Sequence, residues 1–302
     1  FNSTFSVDDR TRSFLKVQDG CNYGCSFCTI PLARGKSRSA ETDDVLSKIN
    51  NLIDKGSKEI ILSGINIGDY GILNGKRKNN FFSLLKIIED KTDGLRFRIS
   101  SIEPNLLSDE IIKLVASSKK FVNHFHIPLQ SGSNNILKKM SRRYNIELYN
   151  DRINKIKKLM PDACIGADVI VGFPGESNHE FEKTLKFIKS LDISYLHVFP
   201  YSERNNTRAI EINDITPQSK RNERSKVLRE LSEKKKRKFY NSNLNLSKDV
   251  LFENKIKDGY IFGYTDNYIR TKVKYKEGYM GKIFKTKLKS IDKDFTTIGI
   301  IW

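Results

Sequence analysis

Six times between residues 12 and 241, an apolar run of strand length is followed by a segment whose apolar residues recur at helical spacing. The runs are "RSFLKVQDG" (12–20), "KEIILSGIN" (58–66), "LRFRISSI" (95–102), "HFHIPL" (124–129), "CIGADVIVGF" (164–173) and "ISYLHVFPYS" (193–202). Helices are expected near 41–55, 81–90, 108–118, between 133 and 160, at 177–190, and from Pro217 to Asn241. In the first helix, Val45, Leu46, Ile49, Leu52 and Ile53 fall on one face. A parallel crossover needs a connection of helix length, so strand–helix units in series imply a parallel sheet. Six units are too few for the eight that close a complete barrel, so the fold class is α/β, an incomplete (β/α)6 barrel.

In such a sheet, functional groups gather on the loops after the C-terminal strand ends. The polar segments of this chain stand there: "CNYGCSFC", "SGINIGDYG", "SSIEP", "PLQSGS", "GFPGES" and "PYSERNNT". Beyond about Asn243 the helical period stops. Short alternating strands and turns at Asp-Gly and Glu-Gly predict a small all-β barrel of about five strands. The domain reading is a linker at 1–11, an α/β unit at 12–243 and a β unit at 244–302. "NGKRKNN" (74–80) reads as a solvated loop.

Composition removes some function classes. The 302 residues contain no apolar run of about 18 residues, the length a membrane span needs, and no signal or transit pattern opens the chain. Four cysteines, three of them within eight positions, do not make a disulfide framework, which favours a reducing, cytoplasmic setting. The net charge of +18 points to a polyanionic partner, RNA or DNA first, although abundant Lys, Ile and Asn also fit simple compositional drift.

Cys21, Cys25 and Cys28 carry the strongest chemical signal. Thiolates suit zinc or iron–sulfur clusters, and a structural zinc site normally takes four protein ligands. Here one loop offers three, with no fourth Cys or His beside it, which leaves one metal vertex open to a substrate. Cys164 opens a distant strand and reads as core packing.

The Cys-x3-Cys-x2-Cys spacing, with Phe27 before the last cysteine, resembles the cluster loop of radical S-adenosylmethionine (SAM) enzymes. The resemblance implies that Cys21, Cys25 and Cys28 hold a [4Fe–4S] cluster whose fourth iron chelates the methionine part of SAM. "VQDGCNYGCSFCTIPLARGKSRS", "SGINIGDYG", "RISSIEP", "HIPLQSGSNNILKKMSRRY", "DVIVGFPGE" and "HVFPYSERNNTRA" are similar to successive signatures of the methylthiotransferase branch. The last segment is similar to the TRAM domain, an RNA-binding β-barrel. Implied are reductive cleavage of SAM to a 5′-deoxyadenosyl radical, hydrogen abstraction from the substrate, and insertion of a methylthio group. "SGINIGDYG" most resembles enzymes acting on carbon 2 of threonylcarbamoyladenosine beside the tRNA anticodon. Related enzymes act on isopentenyl-adenosine or a ribosomal protein aspartate. The implied partners are the tRNA anticodon arm and an electron donor such as flavodoxin or ferredoxin. The branch also carries an N-terminal domain with three further cysteines for a second [4Fe–4S] cluster. Nothing here matches it, and the missing initiator Met suggests a fragment starting just before the radical SAM unit. A non-catalytic RNA-binding module with a zinc-filled cysteine loop is the reading of another class.

The remaining loops support a SAM site residue by residue. Phe27, Gly64, Asn66, Ser101, Glu103, Gln130, Ser131, Gly172, Val198 and Phe199 are the candidates. Glu103, Gln130 and Ser131 suit a ribose and a sulfonium, and Gly172 would let backbone approach the adenine closely. Helix capping is the plainer explanation for the Ser and Asn residues. Arg34, Lys36, Arg38 and Arg204 are candidates for RNA phosphate contact. His124 and His126 alternate on one strand, so at most one is expected to face the barrel interior, in a structural role.

Overall fold

The structure, a computed structural model, describes residues 3–6 and 11–301. Much of the expected linker at 1–11, and Trp302, lie outside the described residues.

Six parallel strands follow one another in sequence order: β1 (Arg12–Asp19), β2 (Glu59–Gly64), β3 (Arg96–Ile99), β4 (His124–His126), β5 (Cys164–Val171) and β6 (Tyr195–Pro200). Regular parallel ladders join β1–β2–β3 and β4–β5–β6. Between β3 and β4 the ladder thins to the bridges Phe97–Phe121 and Ser101–His126. Among the described residues β1 and β6 share no ladder, so the curved sheet is open on one side. A short strand, Thr4–Ser6, pairs antiparallel with β1 and covers its free edge.

The outer face of the sheet is packed by α1 (Thr42–Asp54), α2 (Phe81–Lys91), α3 (Asp109–Ser117), α4 (Ile146–Leu159), α5 (Asn178–Ser190) and α6 (Gln218–Ser242). Alternate strand residues such as Leu15, Val17, Leu62, Phe97, Phe125 and Val169 meet Val45, Ile49, Leu85, Ile112 and Ile153 of the helices in one core. Asn80, Ser108, Asn145 and Ser177 cap α2 to α5, each accepting a hydrogen bond from a first-turn amide.

Five further strands, β7 (Ser247–Lys257), β8 (Tyr260–Thr265), β9 (Arg270–Lys274), β10 (Ile283–Ile291) and β11 (Thr297–Ile301), form a closed barrel. Its interior holds Val250, Phe252, Ile261 and Val273. Tyr260, Phe262, Tyr264 and Tyr268 are all half-buried. On β8 the reason is the two-residue period: Ile261 and Gly263 point inward, which turns Tyr260, Phe262 and Tyr264 outward.

This barrel docks under the N-terminal ends of the α/β strands. Arg96 donates to the backbone carbonyls of Asp249 at 3.1 Å and Tyr264 at 3.0 Å. Arg12 lies over the Tyr264 ring and Arg98 over that of Tyr268. Both Arg96 and Arg98 also pair with Glu59, which is fully buried. Burial alone would raise the Glu59 pKa, but Arg98 and Arg96 bring it down to about 2. "NGKRKNN" forms the turn of a small hairpin, Ile72–Leu73 with Lys76–Arg77, rather than an irregular loop.

Removing this carboxylate leaves two guanidinium groups buried without a counter-charge. Glu59→Gln should therefore destabilise the chain by about 3–5 kcal/mol in urea unfolding. Because the folded-state pKa is depressed, the stabilisation is complete above the unfolded value near 4.5 and fades as pH falls towards about 2. The wild type should lose more stability than Glu59→Gln across that window.

Candidate active site

The cysteine loop leaves the C-terminal end of β1 and is braced from several sides. Gln18, fully buried, donates to the carbonyl of Gly20 at 2.8 Å and to Ser37 Oγ at 3.0 Å, and accepts the Asn66 amide at 2.8 Å. One side chain thus ties the loop's start to the loop after β2. Gly20 has φ +69°, and a Cβ there would stand 2.2 Å from the Lys36 carbonyl oxygen. Ser26 exchanges backbone bonds with Met140 at 3.0 Å and Ala209 at 2.8 Å. Tyr23 receives a hydrogen bond from Asn105 at 2.7 Å and carries the Arg143 guanidinium 4.0 Å above its ring. Arg208 donates to the Gly24 carbonyl.

N–H donors surround the sulfurs. The Tyr23 amide lies 3.4 Å from Cys21 Sγ, Asn66 Nδ2 at 3.9 Å from the same sulfur, and Arg142 at 3.1 Å from Cys25 Sγ. Arg142 also pairs with Glu103. Burial raises the Cys21 and Cys25 thiol pKa values. A coordinated cation reverses that balance by favouring thiolate. Asn66 Oδ1, Ser100 Oγ and Asn105 Oδ1, beside this loop at the ends of β2 and β3, are buried without a hydrogen-bond partner. Three orphaned polar atoms beside three soft ligands fit a metal cluster plus a polar organic ligand. The thiols do not crowd as ligands of one ion do. Among the described residues, only His126, Asp168 and His197 bring three ligand atoms within 4.8 Å of one another. Sulfurs around a single zinc would stand about 3.8 Å apart, given a Zn–S distance of about 2.3 Å. The residues present therefore fit a [4Fe–4S] cluster and its ligand better than a lone zinc.

The expected SAM candidates separate into groups. Asn66 and Glu103 sit against the cysteines. Ser101 bridges to β4, and Gln130, in the left-handed region at φ +62°, bridges to Val169. Phe27 packs edge-on against Phe173. Gly64 is crowded by Gln18, whose Oε1 would lie 2.9 Å from an added Cβ. Three further candidates have partners within the fold. Ser131 is fully buried and its hydroxyl meets Thr184 at 3.1 Å, so it props α5 instead of facing the opening. Gly172 has φ +71°, and a Cβ there would stand 2.4 Å from Arg221 Cγ. Val198 points into the outer core, whereas Phe199 beside it is exposed on the inner face.

Among the basic candidates, Arg34 and Arg38 pair with Asp19 at 3.5 Å and 2.9 Å, so part of their charge is committed within the fold. Lys36 and Arg204 are exposed. Cys164 is buried in the core and its thiol is pushed up to about 12 by burial, far from ligand chemistry. His124 and His126 both face the interior, against expectation, because residues two apart on a strand share a face. Sequence reasoning also passed over Gln18, Arg142, Asp168 and His197. Each lies inside a quoted segment, but its role depends on a partner more than 25 positions away.

The bracing makes a local prediction. Gln18→Leu should speed amide hydrogen exchange in residues 19–25 and 64–67 while leaving the rest of the α/β unit protected. Unchanged exchange there would mean that Gln18 does not hold the loop.

Three comparisons bear on this site. The Radical SAM superfamily model matches residues 15–188. The threonylcarbamoyladenosine tRNA methylthiotransferase MtaB of Bacillus subtilis is 43% identical over 285 residues, 93% of this chain and 63% of that protein. The chain therefore spans less than two thirds of that relative. MtaB of Rickettsia prowazekii is 37% identical over 293 residues, 96% of this chain and 67% of that protein. Among solved structures, the radical SAM enzyme coproporphyrinogen III oxidase (HemN) from Escherichia coli aligns with a TM-score of 0.54. It is 15% identical, covering 75% of this chain and 53% of that one, a likeness of fold alone.

Proposed function

Because this chain belongs to the radical SAM superfamily, and within it to the tRNA methylthiotransferases, we propose that it contributes SAM-dependent methylthiolation of tRNA. The substrate position is carbon 2 of N6-threonylcarbamoyladenosine beside the anticodon. One observation carries the reading: three thiols on a braced loop, flanked by orphaned polar atoms, at the open C-terminal mouth of the half-barrel.

Cys21, Cys25 and Cys28 would hold the [4Fe–4S] cluster, and Asn66, Ser101, Glu103 and Gln130 line the mouth where SAM would sit. Bound there, cluster and SAM supply one-electron, radical-forming chemistry, fed by a donor such as flavodoxin or ferredoxin. Arg142 and Asn66 donate hydrogen bonds towards the cysteine sulfurs, a contact that tunes cluster potential. A second sulfur-handling cluster would need cysteines beyond the four present in this chain. We take residues 12–243 as the radical SAM unit and 244–302 as a TRAM-like RNA-binding unit. The small barrel offers a groove of about 420 Å³ lined by the rings of Tyr260 and Phe262, by Lys255, Lys257 and Arg270, by Lys272 paired with Asp292, and by the further carboxylates Glu253, Asp258 and Asp294. Among the described residues no helix is long and apolar enough to cross a membrane.

Anaerobic reconstitution should load one [4Fe–4S] cluster per chain. Replacing Cys21, Cys25 or Cys28 by Ala should abolish it, whereas Cys164→Ala should retain it. With reductant, the loaded chain should convert SAM to 5′-deoxyadenosine; zinc in place of iron and sulfide would favour the non-catalytic reading. For the substrate, the full coding sequence should restore 2-methylthio-N6-threonylcarbamoyladenosine to a host lacking it, read by nucleoside mass spectrometry. A methylthio group on isopentenyl-adenosine instead would move the assignment.

Binding to tRNA should weaken steeply with salt, because Lys and Arg contacts release phosphate counterions. Lys255→Glu with Lys257→Glu should flatten the slope of log K against log salt by about two. An unchanged slope would place the RNA elsewhere.

A further inference from the structure

Three of the four histidines in the chain meet on the inner face of the half-barrel. The register brings them together: Gly166 on β5 pairs with His126 and with Tyr195, and Asp168 pairs with His197. A Cβ on Gly166 would lie 2.3 Å from Tyr195 Cζ, so the tyrosine ring lies across the glycine. Its hydroxyl stands 3.3 Å from His124 Nε2 and 3.3 Å from His126 Nδ1. His126 Nε2 reaches Asp168 Oδ1 at 2.9 Å, and His197 Nδ1 reaches the same oxygen at 3.2 Å.

The proton positions follow from one end to the other. Burial drives the His124 pKa well down, so the ring is neutral with a single N–H. Its Nδ1 is buried without a partner, and an orphaned N–H is rarer than an under-satisfied acceptor. The proton therefore sits on Nε2 and is donated to the Tyr195 oxygen. Tyr195, kept protonated by burial, donates its own hydrogen to His126 Nδ1. His126 is then protonated at Nε2 and donates to Asp168. Burial acts against ionising Asp168, but the His126 and His197 hydrogen bonds outweigh it and hold the group as a carboxylate. It accepts a second N–H from His197 Nδ1. His197 Nε2 is left with a lone pair and no partner among the described residues, on a side chain that is 55% exposed. Phe199, two residues along the same face, is 50% exposed.

We infer that this wire fixes His197 as a hydrogen-bond acceptor, and that His197 Nε2 and the Phe199 ring, which this assigns to the substrate instead of to SAM, seat the substrate base, a purine whose exocyclic nitrogen is acylated. Such a base presents amide N–H donors at its edge and a flat face for stacking. The inference rests on the RNA reading above. His126, Asp168 and His197 could alternatively ligate a transition metal, since their donor atoms lie within 4.8 Å of one another.

The chain's four histidines make the wire directly observable by ¹⁵N NMR of histidine-labelled protein at a pH of about 8. His124 and His126 should carry the proton on Nε2, and His197 on Nδ1. An Nε2–H signal from His197 overturns the wire. Asp168→Leu should switch His197 to the Nε2–H form that an unrestrained imidazole favours, leaving the exposed His179 unchanged. Binding of Zn²⁺ with loss of both N–H signals at Asp168 would replace the wire by a metal site.

The seat is tested by titrating the reconstituted chain with two anticodon stem-loops, one with threonylcarbamoyladenosine and one with plain adenosine. Wild type and His179→Phe should prefer the acylated RNA by about tenfold, the value of one neutral hydrogen bond. His197→Phe should lose that preference. If wild type binds neither RNA, the RNA reading fails and the seat with it, while the tautomers still report on the wire. If His197→Phe keeps the preference, the seat alone is overturned.

Discussion

Arg96 and Arg98, two residues apart on one short strand, share a carboxylate, Glu59, that has no access to water. Three charges of unequal sign in such a place need fixed partners for most of their remaining hydrogen-bonding capacity, although Arg98 Nη1 is buried without one. Arg96 spends it on two carbonyls of the small barrel, and Arg98 and Arg12 face two of its tyrosine rings. The electrostatics of the sheet's lower end thereby become the joint between two folding units. A second carboxylate, Asp19, does similar work at the upper end. It gathers Lys16, Arg34 and Arg38 around the entry to the cysteine loop. Both ends of β1 are thus pinned by charge, and its middle by apolar packing.

That arrangement explains which parts of the molecule could be read from the chain alone. Strand and helix order follows from local periodicity, so all six units and the terminal barrel were legible. The thiol trio was legible because its residues adjoin. What sequence could not supply was the identity of each neighbour. Nothing local tells that the Ser131 hydroxyl meets Thr184, 53 positions on. Nor does anything local tell that Arg221 packs against Gly172. Arg34 and Arg38 look free for phosphate until Asp19 is found between them.

The histidines teach a different lesson. That His124 and His126 share a face was already present in the two-residue period of a strand, and the contrary expectation misapplied it. Their meeting with Asp168 and His197 was not readable locally, since it needs the register of three adjacent strands. Polar groups on the concave side of the sheet escape detection for this reason. They follow the same alternation as the core residues, yet their chemistry emerges only across strands.

The small barrel, seated beneath the sheet, gives the cavity a floor. Above that floor the inner face of the sheet is filled by Glu59, Arg98 and His124, all of them buried. The edge of β1 that shares no ladder with β6 is covered in part by the strand Thr4–Ser6. Entry is left to the mouth at the C-terminal ends of the strands, where the cysteine loop stands, and a base must swing out of its stack to reach into it. For the proposed RNA substrate, selection would thus begin with backbone pliancy: only a residue in a loop already loosened from pairing could bend far enough to enter.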